Sequence, residues 1–328
     1  MTDTRPSAPW TAARRVLVAT RSADAIVAAL RARRPDLVLR AAAHTEVTPG
    51  DLAWADTYVG FKRPPGADAL GGVRWVHCTG AGVDAWLAPP GLADDILLTR
   101  TPESFGPAIA EWAVARIFAV QQQLFTLDRA QRAHQWAPRD VPLVAGTRAV
   151  VVGTGDVGSA IADKLSMLGV TVDGVSRTGA ARPAGVASVS PFRTVHPVSA
   201  LPDLVVGADW IVLALPDTPA TRGVFSRDVM SRCRGAVLLN AGRGSTVEES
   251  ALPEALEQGW LRGAALDVFA VEPLPKDSPL WDEPHVIVSP HCSGPTTVSG
   301  AVEGFLACLA DLEAGRTPPW AVDRTRGY

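Results

Sequence analysis

Lysine and asparagine are nearly missing from this chain. Three of the 31 basic residues are lysines (Lys62, Lys164 and Lys276), and asparagine occurs once, at Asn240. With 28 arginines, a lone arginine is a weak functional signal, whereas the position of the single asparagine carries weight. An excess of one charge is also lacking. The 31 Lys+Arg stand against 34 Asp+Glu, a formal net charge of −3, so the basic surplus of a nucleic-acid binder is absent. No apolar run approaches the roughly 18–20 residues that span a bilayer. The N-terminus, MTDTRPSAPWTAARR, has no charged-then-apolar leader, so export is not expected. The four cysteines (Cys78, Cys233, Cys292 and Cys308) are scattered without CxxC spacing and suggest neither a zinc site nor a disulfide framework. No metal, nucleic acid or membrane partner is therefore expected. The remainder, 328 residues of which 47% are hydrophobic and 20% charged, reads as a soluble cytoplasmic chain long enough for two domains.

What is present falls into two blocks. In the first, β-rich runs alternate with helix-like stretches: RVLVAT (15–20), DAIVAALRAR (24–33), DLVLRAA (36–42), DTYVGF (56–61), RWVHCTG (74–80) and DILLTR (95–100). Such alternation implies a parallel α/β sheet. The segment from Gly106 to about Phe125 is apolar nearly all round, so it must be a helix buried on more than one side, as core or as interface. The second block is a six-strand doubly wound pattern: AVVVGTG (149–155), VTVDGVS (170–176), WIVLALP (210–216), AVLLNA (236–241), GAALDVF (263–269) and HVIVSP (285–290). A last helix at 298–315 leads to a tail ending Arg326-Gly327-Tyr328.

Gly153-Thr154-Gly155-Asp156-Val157-Gly158 is a G-x-G-x-x-G that directly follows a strand and opens a helix, the setting a dinucleotide site requires. Gly153 permits the tight turn, Gly155 lets the backbone approach a pyrophosphate, and Gly158 lets helix and strand pack closely. An NAD site places Asp or Glu at the end of the second strand, about 20 residues on. Asp173 lies inside that strand, which ends Ser176-Arg177-Thr178, with Ser176 in the expected acidic position. A carboxylate there would repel a 2′-phosphate, whereas Ser, Arg and Thr can hydrogen-bond one. NADP(H) is preferred on this reading, and NAD(H) is the alternative.

Five further segments carry a family resemblance. They are Gly80-Ala81-Gly82-Val83-Asp84, Ala214-Leu215-Pro216-Asp217-Thr218, Leu239-Asn240-Ala241-Gly242-Arg243-Gly244, Ala265-Leu266-Asp267-Val268-Phe269 running to Glu272-Pro273, and Ser289-Pro290-His291-Cys292-Ser293. In this order, with the glycine-rich turn, the chain resembles the D-isomer-specific 2-hydroxyacid dehydrogenases, most of all the glyoxylate/hydroxypyruvate reductases. The resemblance implies two doubly wound parallel-sheet domains: a Rossmann-type nucleotide domain at 106–292, inserted into a flavodoxin-like substrate domain at 1–105 and 293–328, with the chemistry in the cleft between them. It also implies a homodimer formed through the helix from Gly106.

The implied reaction is NAD(P)H-dependent reduction of a small 2-keto acid to the D-2-hydroxy acid. Arg243 would bind the carboxylate and polarise the ketone with its planar fork, and His291 would be the acid–base. Glu272 would hold the His291 ring and favour its protonated form. Backbone N–H groups of Ala81, Gly82 and Val83 would hold the substrate carboxylate. Leu215, Pro216, Ala241, Asp267 and Ser293 join the glycine-rich turn as cofactor contacts, with Asp267 on the nicotinamide carboxamide. His77, on the strand before the substrate loop, is the one serious rival to His291. Two other readings stay open: an NAD-dependent phosphoglycerate-dehydrogenase-like enzyme, and a dinucleotide-sensing corepressor-like binding protein, against which the intact Arg243, Glu272 and His291 speak.

Overall fold

Strands of the described residues assemble into two parallel sheets, of five and seven strands. The structure, a computed structural model, describes residues 14–67, 69–101, 105–180 and 190–327. Residues 1–13, on which the leader reading rests, and Tyr328 of the tail lie outside them. Two compact units result, one of residues 105–295 and one of 1–104 with 296–328.

The five-stranded unit runs β1 (Arg15–Ala19), α1 (Ala23–Arg33), β2 (Val38–Ala42), α2 (Pro49–Trp54), β3 (Thr57–Val59), β4 (Trp75–Cys78), α3 (Asp84–Leu87) and β5 (Leu97–Arg100). Its strand order, β2-β1-β3-β4-β5, is that of the flavodoxin-like sheet. Alternation along β1 sends Val16 and Val18 to one face and Leu17 and Ala19 to the other. The first face packs on Ile26 and Leu30 of α1 and on Phe305 and Leu309 of the helix Val298–Glu313. The second packs on Leu52 of α2 and Trp86 of α3. Helices on both faces are why Val16–Ala19 of β1 reads as an unbroken apolar run.

His77 belongs to this core and lines no cleft. It is fully buried, edge-on to the stacked rings of Trp75 and Phe305, with Nδ1 2.8 Å from Thr99 Oγ1 and Nε2 2.9 Å from Thr101 Oγ1. Burial pushes its pKa down to about 3, so it is neutral at physiological pH and drops out as a proton donor. The unfolded chain takes up a proton on this ring below about pH 6.5, which the folded form refuses until about pH 3. Stability is therefore expected to fall by up to ~1.4 kcal/mol per pH unit as pH drops below the ordinary histidine value. Urea unfolding of the protein and of His77→Gln at pH 7, 6 and 5 checks this. The gap between the two should change over that range, and parallel curves would contradict the assignment.

The seven-stranded unit opens with α4 (Gly106–Gln121) and α5 (Leu124–Arg132), followed by β6 (Arg148–Val152), α6 (Asp156–Met167), β7 (Thr171–Ser176) and β8 (Thr194–Pro197). It continues with α7 (Leu201–Leu204), β9 (Trp210–Leu213), α8 (Arg227–Met230), β10 (Ala236–Asn240), α9 (Leu252–Glu257), β11 (Leu261–Leu266) and β12 (Val286–Val288). The order is β12-β11-β10-β9-β6-β7-β8. Winding reverses between β6 and β9, and ligands of such sheets bind beyond the strand ends at that point.

Two expectations need correction here. The second block has seven strands rather than six, because β8 pairs with β7 at the sheet edge. Its sequence, TVHP, is half exposed and carries a proline, so no apolar run announces it. The helix from Gly106 also stops at Gln121, where Gln123 takes a left-handed conformation (φ 53°) before α5 begins. Part of the cover for α4 comes from α6 within its own unit. The space a Cβ on Gly106 would take is already filled by the Ala160 side chain of α6, 3.0 Å away, and Lys164 of α6 pairs with Glu111. Among the described residues no helix is long and apolar enough to cross a membrane, and no group of three His, Cys, Asp or Glu could hold a metal ion.

Candidate active site

At the switch point β6 runs into the glycine-rich turn. Gly153 has φ +105°, and a Cβ there would lie 2.4 Å from Ala214 O at the end of β9. A Cβ on Gly158 would lie 1.8 Å from Gly153 O, so α6 can approach the strand only with glycine at that position. Gly155 differs, since a Cβ there meets nothing within 4 Å. It is the N-cap of α6 with no side-chain cap, and Asp156 and Val157 form the half-buried first turn. Open space over uncapped N–H groups at a helix N-terminus fits a pyrophosphate. Leu215, Pro216 and Ala241, all half-buried, stand at the ends of β9 and β10 beside this turn.

β7 ends at Ser176, half-buried, with Arg177 and Thr178 exposed beyond it. The Ser176 hydroxyl donates to Ala180 O and accepts from Gly179 N–H, both at 3.0 Å, so it also closes the turn. Asp173 is buried within the strand. Burial opposes its charge, but hydrogen bonds from Arg193 and Arg148 outweigh it and hold the carboxyl below its ordinary range.

The single asparagine builds the next turn. Asn240 Oδ1 accepts from Gly242 N–H (3.1 Å) and its Nδ2 donates to Arg243 O (3.0 Å), which fixes the backbone on both sides of Arg243. The Arg243 guanidinium donates to Gly242 O at 2.8 Å. Glu272 Oε1 accepts from Phe269 N–H (3.1 Å), and Oε2 lies 2.8 Å from His291 Nδ1. Burial raises the Glu272 carboxyl, but hydrogen bonds from His291 and the Phe269 N–H, with the positive charge of Arg243, bring it below its ordinary range. The three residues thus form one electrostatic group. His291 keeps a partly exposed ring and takes a left-handed backbone (φ 49°), rare for a non-glycine residue.

The D-isomer specific 2-hydroxyacid dehydrogenase family, by its NAD-binding domain, matches residues 114–293. The chain belongs to this family. It is 32% identical over 316 residues to a glyoxylate/hydroxypyruvate reductase A of Serratia proteamaculans (strain 568), covering 94% of this chain and 97% of that one. Two solved structures are similar over nearly the whole length. One is a D-isomer specific 2-hydroxyacid dehydrogenase from Xanthobacter autotrophicus Py2 in complex with NADPH and MES (32% identity, TM-score 0.84, 97% and 100% coverage). The other is an NADPH-dependent glyoxylate/hydroxypyruvate reductase from Sinorhizobium meliloti in complex with NADP and sulfate (28%, 0.82, 96% and 100%).

As a 2-hydroxyacid dehydrogenase the chain is an NAD(P)-dependent oxidoreductase. Asp267 directly follows β11. Its side chain is fully buried and both carboxylate oxygens accept hydrogen bonds from its own chain, from Ser289 Oγ (2.6 Å), Cys292 N–H (3.0 Å) and Ser293 N–H (2.8 Å). Ser293 is itself buried. Ala81, Gly82 and Val83 lie in the five-stranded unit just beyond β4, where Arg100 Nη1 donates to Ala81 O at 3.1 Å. Trp86 is fully buried against Tyr58. Sequence reasoning passed over Asp217, which accepts from Ser245 (2.9 Å) and Arg222 (2.8 Å) and ties the Leu215–Thr218 segment to the Arg243 turn. Its only signal was its place in the Leu-Pro-Asp-Thr motif.

Proposed function

We propose that this dehydrogenase is an NADPH-preferring reductase of small 2-keto acids of the glyoxylate or hydroxypyruvate type, yielding the D-2-hydroxy acid. The 2.8 Å contact between His291 Nδ1 and Glu272 carries the reading, with the charge of Arg243 at hand. With Nδ1 committed to Glu272, Nε2 is the nitrogen left for proton transfer to the ketone oxygen. Glu272 holds the ring in place and compensates its charge. The Arg243 fork is suited to a carboxylate and to polarising the neighbouring carbonyl. Backbone N–H groups of Ala81, Gly82 and Val83 are a further carboxylate contact in this proposal. The nicotinamide cofactor supplies the hydride that adds to C2. Names of similar proteins, glyoxylate/hydroxypyruvate reductases among them, favour the same substrates.

The acid-free strand end at Ser176–Thr178, and the NADPH and NADP in the similar structures, support the cofactor choice. Initial rates with NADPH and NADH against glyoxylate, hydroxypyruvate and pyruvate test the whole proposal, and inactivity with all three acids would overturn it. Ser176→Asp is expected to cut the NADPH kcat/KM by roughly tenfold or more. A like charge against a phosphate costs several kcal/mol, and ~1.4 kcal/mol suffices for that factor. Arg177→Ala should weaken NADPH and spare NADH. An unaltered preference in both variants would remove the 2′-phosphate from this strand end.

A homodimer through the helix from Gly106 and the residues that follow it is part of the same proposal. Leu124, Phe125 and Leu127 of α5 are exposed, as are Leu143 and Trp136, the latter at 96%. Such an accumulation of exposed apolar side chains marks an association surface. Sedimentation should give a two-fold dimer at micromolar concentration, and a monomer would contradict it.

A further inference from the structure

Three consecutive backbone N–H groups, those of His291, Cys292 and Ser293, converge on one residue. His291 N–H donates to the Asp267 carbonyl oxygen (2.8 Å), Cys292 N–H to its Oδ1 (3.0 Å) and Ser293 N–H to its Oδ2 (2.8 Å). Asp267 is anchored in turn by its own N–H, which donates to Asn240 O (3.0 Å) at the end of β10. Its carboxylate also accepts from the hydroxyl of Ser289 (2.6 Å), and that hydroxyl accepts from Trp112 Nε1 of α4 (3.0 Å). Trp112, Ser289 and Asp267 are all buried. The Asp267 carboxyl stays below its ordinary range because hydrogen bonds from Ser289, Ser293 and Cys292 outweigh its burial.

These contacts account for a backbone that its own residue does not favour. A left-handed conformation costs a non-glycine residue free energy, and His291 is held there by bonds to its own N–H and the two that follow. We propose that Asp267, Ser289 and Trp112 are positioning residues that aim the His291 ring, so that α4 is coupled to proton transfer through the Trp112–Ser289–Asp267 chain. The role needs a carboxylate. An asparagine would turn an NH2 group toward one of three donors, whereas ionised Asp267 only accepts. The inference rests on the reading of His291 as the acid–base.

Ser289→Ala removes the hydroxyl that joins the two ends of the chain, Trp112→Phe removes only the indole N–H, and Ser289→Thr restores the hydroxyl. A misplacement of the order of 1 Å costs up to about 10²-fold in rate. Ser289→Ala is expected to lose roughly tenfold in kcat, with smaller changes in NADPH Kd and substrate KM. Trp112→Phe should lose less, and Ser289→Thr should recover most of the rate. Full kcat in Ser289→Ala overturns the proposal, as does a loss shared equally by NADPH affinity and unrelieved in Ser289→Thr, since that pattern marks general structural damage. His291→Ala, assayed beside them, separates the two inferences. If it is inactive and Ser289→Ala is normal, positioning alone fails; if it is fully active, the acid–base reading fails and this proposal falls with it.

Discussion

His291→Ala is expected to lower kcat by roughly 10²–10⁴-fold, the usual worth of general acid–base catalysis, with NADPH affinity little changed. The expectation follows from how the ring is held. Nδ1 is engaged by Glu272 at 2.8 Å, and the backbone by Asp267 and Ser289, so the variant deletes the proton carrier and leaves its frame intact. Two other histidines that lie on or beside strands are unsuited to replace it. His77 is enclosed in a hydrophobic core with both ring nitrogens bonded to threonines. His285 is paired with Glu283 before β12. Steady-state kcat and a direct NADPH titration on the same preparation check the result. A variant of near-normal kcat would withdraw the assignment of His291 and, with it, the reaction chemistry proposed above.

Gly244→Ala should cost about 10²-fold in kcat/KM, although alanine adds one methyl group and residue 244 bears no functional group. A Cβ at this position would lie 1.9 Å from the carbonyl carbon and oxygen of Phe269 and 2.5 Å from Ala270 N. Ordinary contact begins near 3.4 Å, so the turn after Arg243 and the 269–270 backbone must separate by more than 1 Å. The Phe269 N–H holds Glu272, so that movement shifts both the substrate arginine and the carboxylate behind His291. Displacements of this size cost about 10²-fold in rate, and overpacking costs a further ~1–3 kcal/mol of stability. Measured kcat/KM and thermal midpoint should both fall, with NADPH binding affected less, because the glycine-rich turn is built on β6 and α6. Unchanged kcat/KM would show that the Arg243 turn tolerates displacement from Phe269.

The chain's sequence by itself determined the sheet class and the family. Buried parallel strands such as AVVV and AVLL are apolar on both faces and read clearly. The glycine-rich turn is legible because backbone geometry and close packing leave Gly153 and Gly158 no alternative. Asn240, alone of its kind, marked the turn that presents Arg243. Other features arose only in three dimensions. Edge strand β8 owes its existence to pairing with β7, which four residues of mixed character could not announce. For His77 and Asp267 the sequence shows the position but not the partners. In sequence, a polar residue beside a site motif suggests a ligand contact, but burial and the direction of its hydrogen bonds decide its role. His77 satisfies Thr99 and Thr101 inside a core, and Asp267 collects the N–H groups of the His291 loop. Both sets of partners lie at least twenty residues away along the chain, at separations where composition and spacing carry no information about which atoms meet.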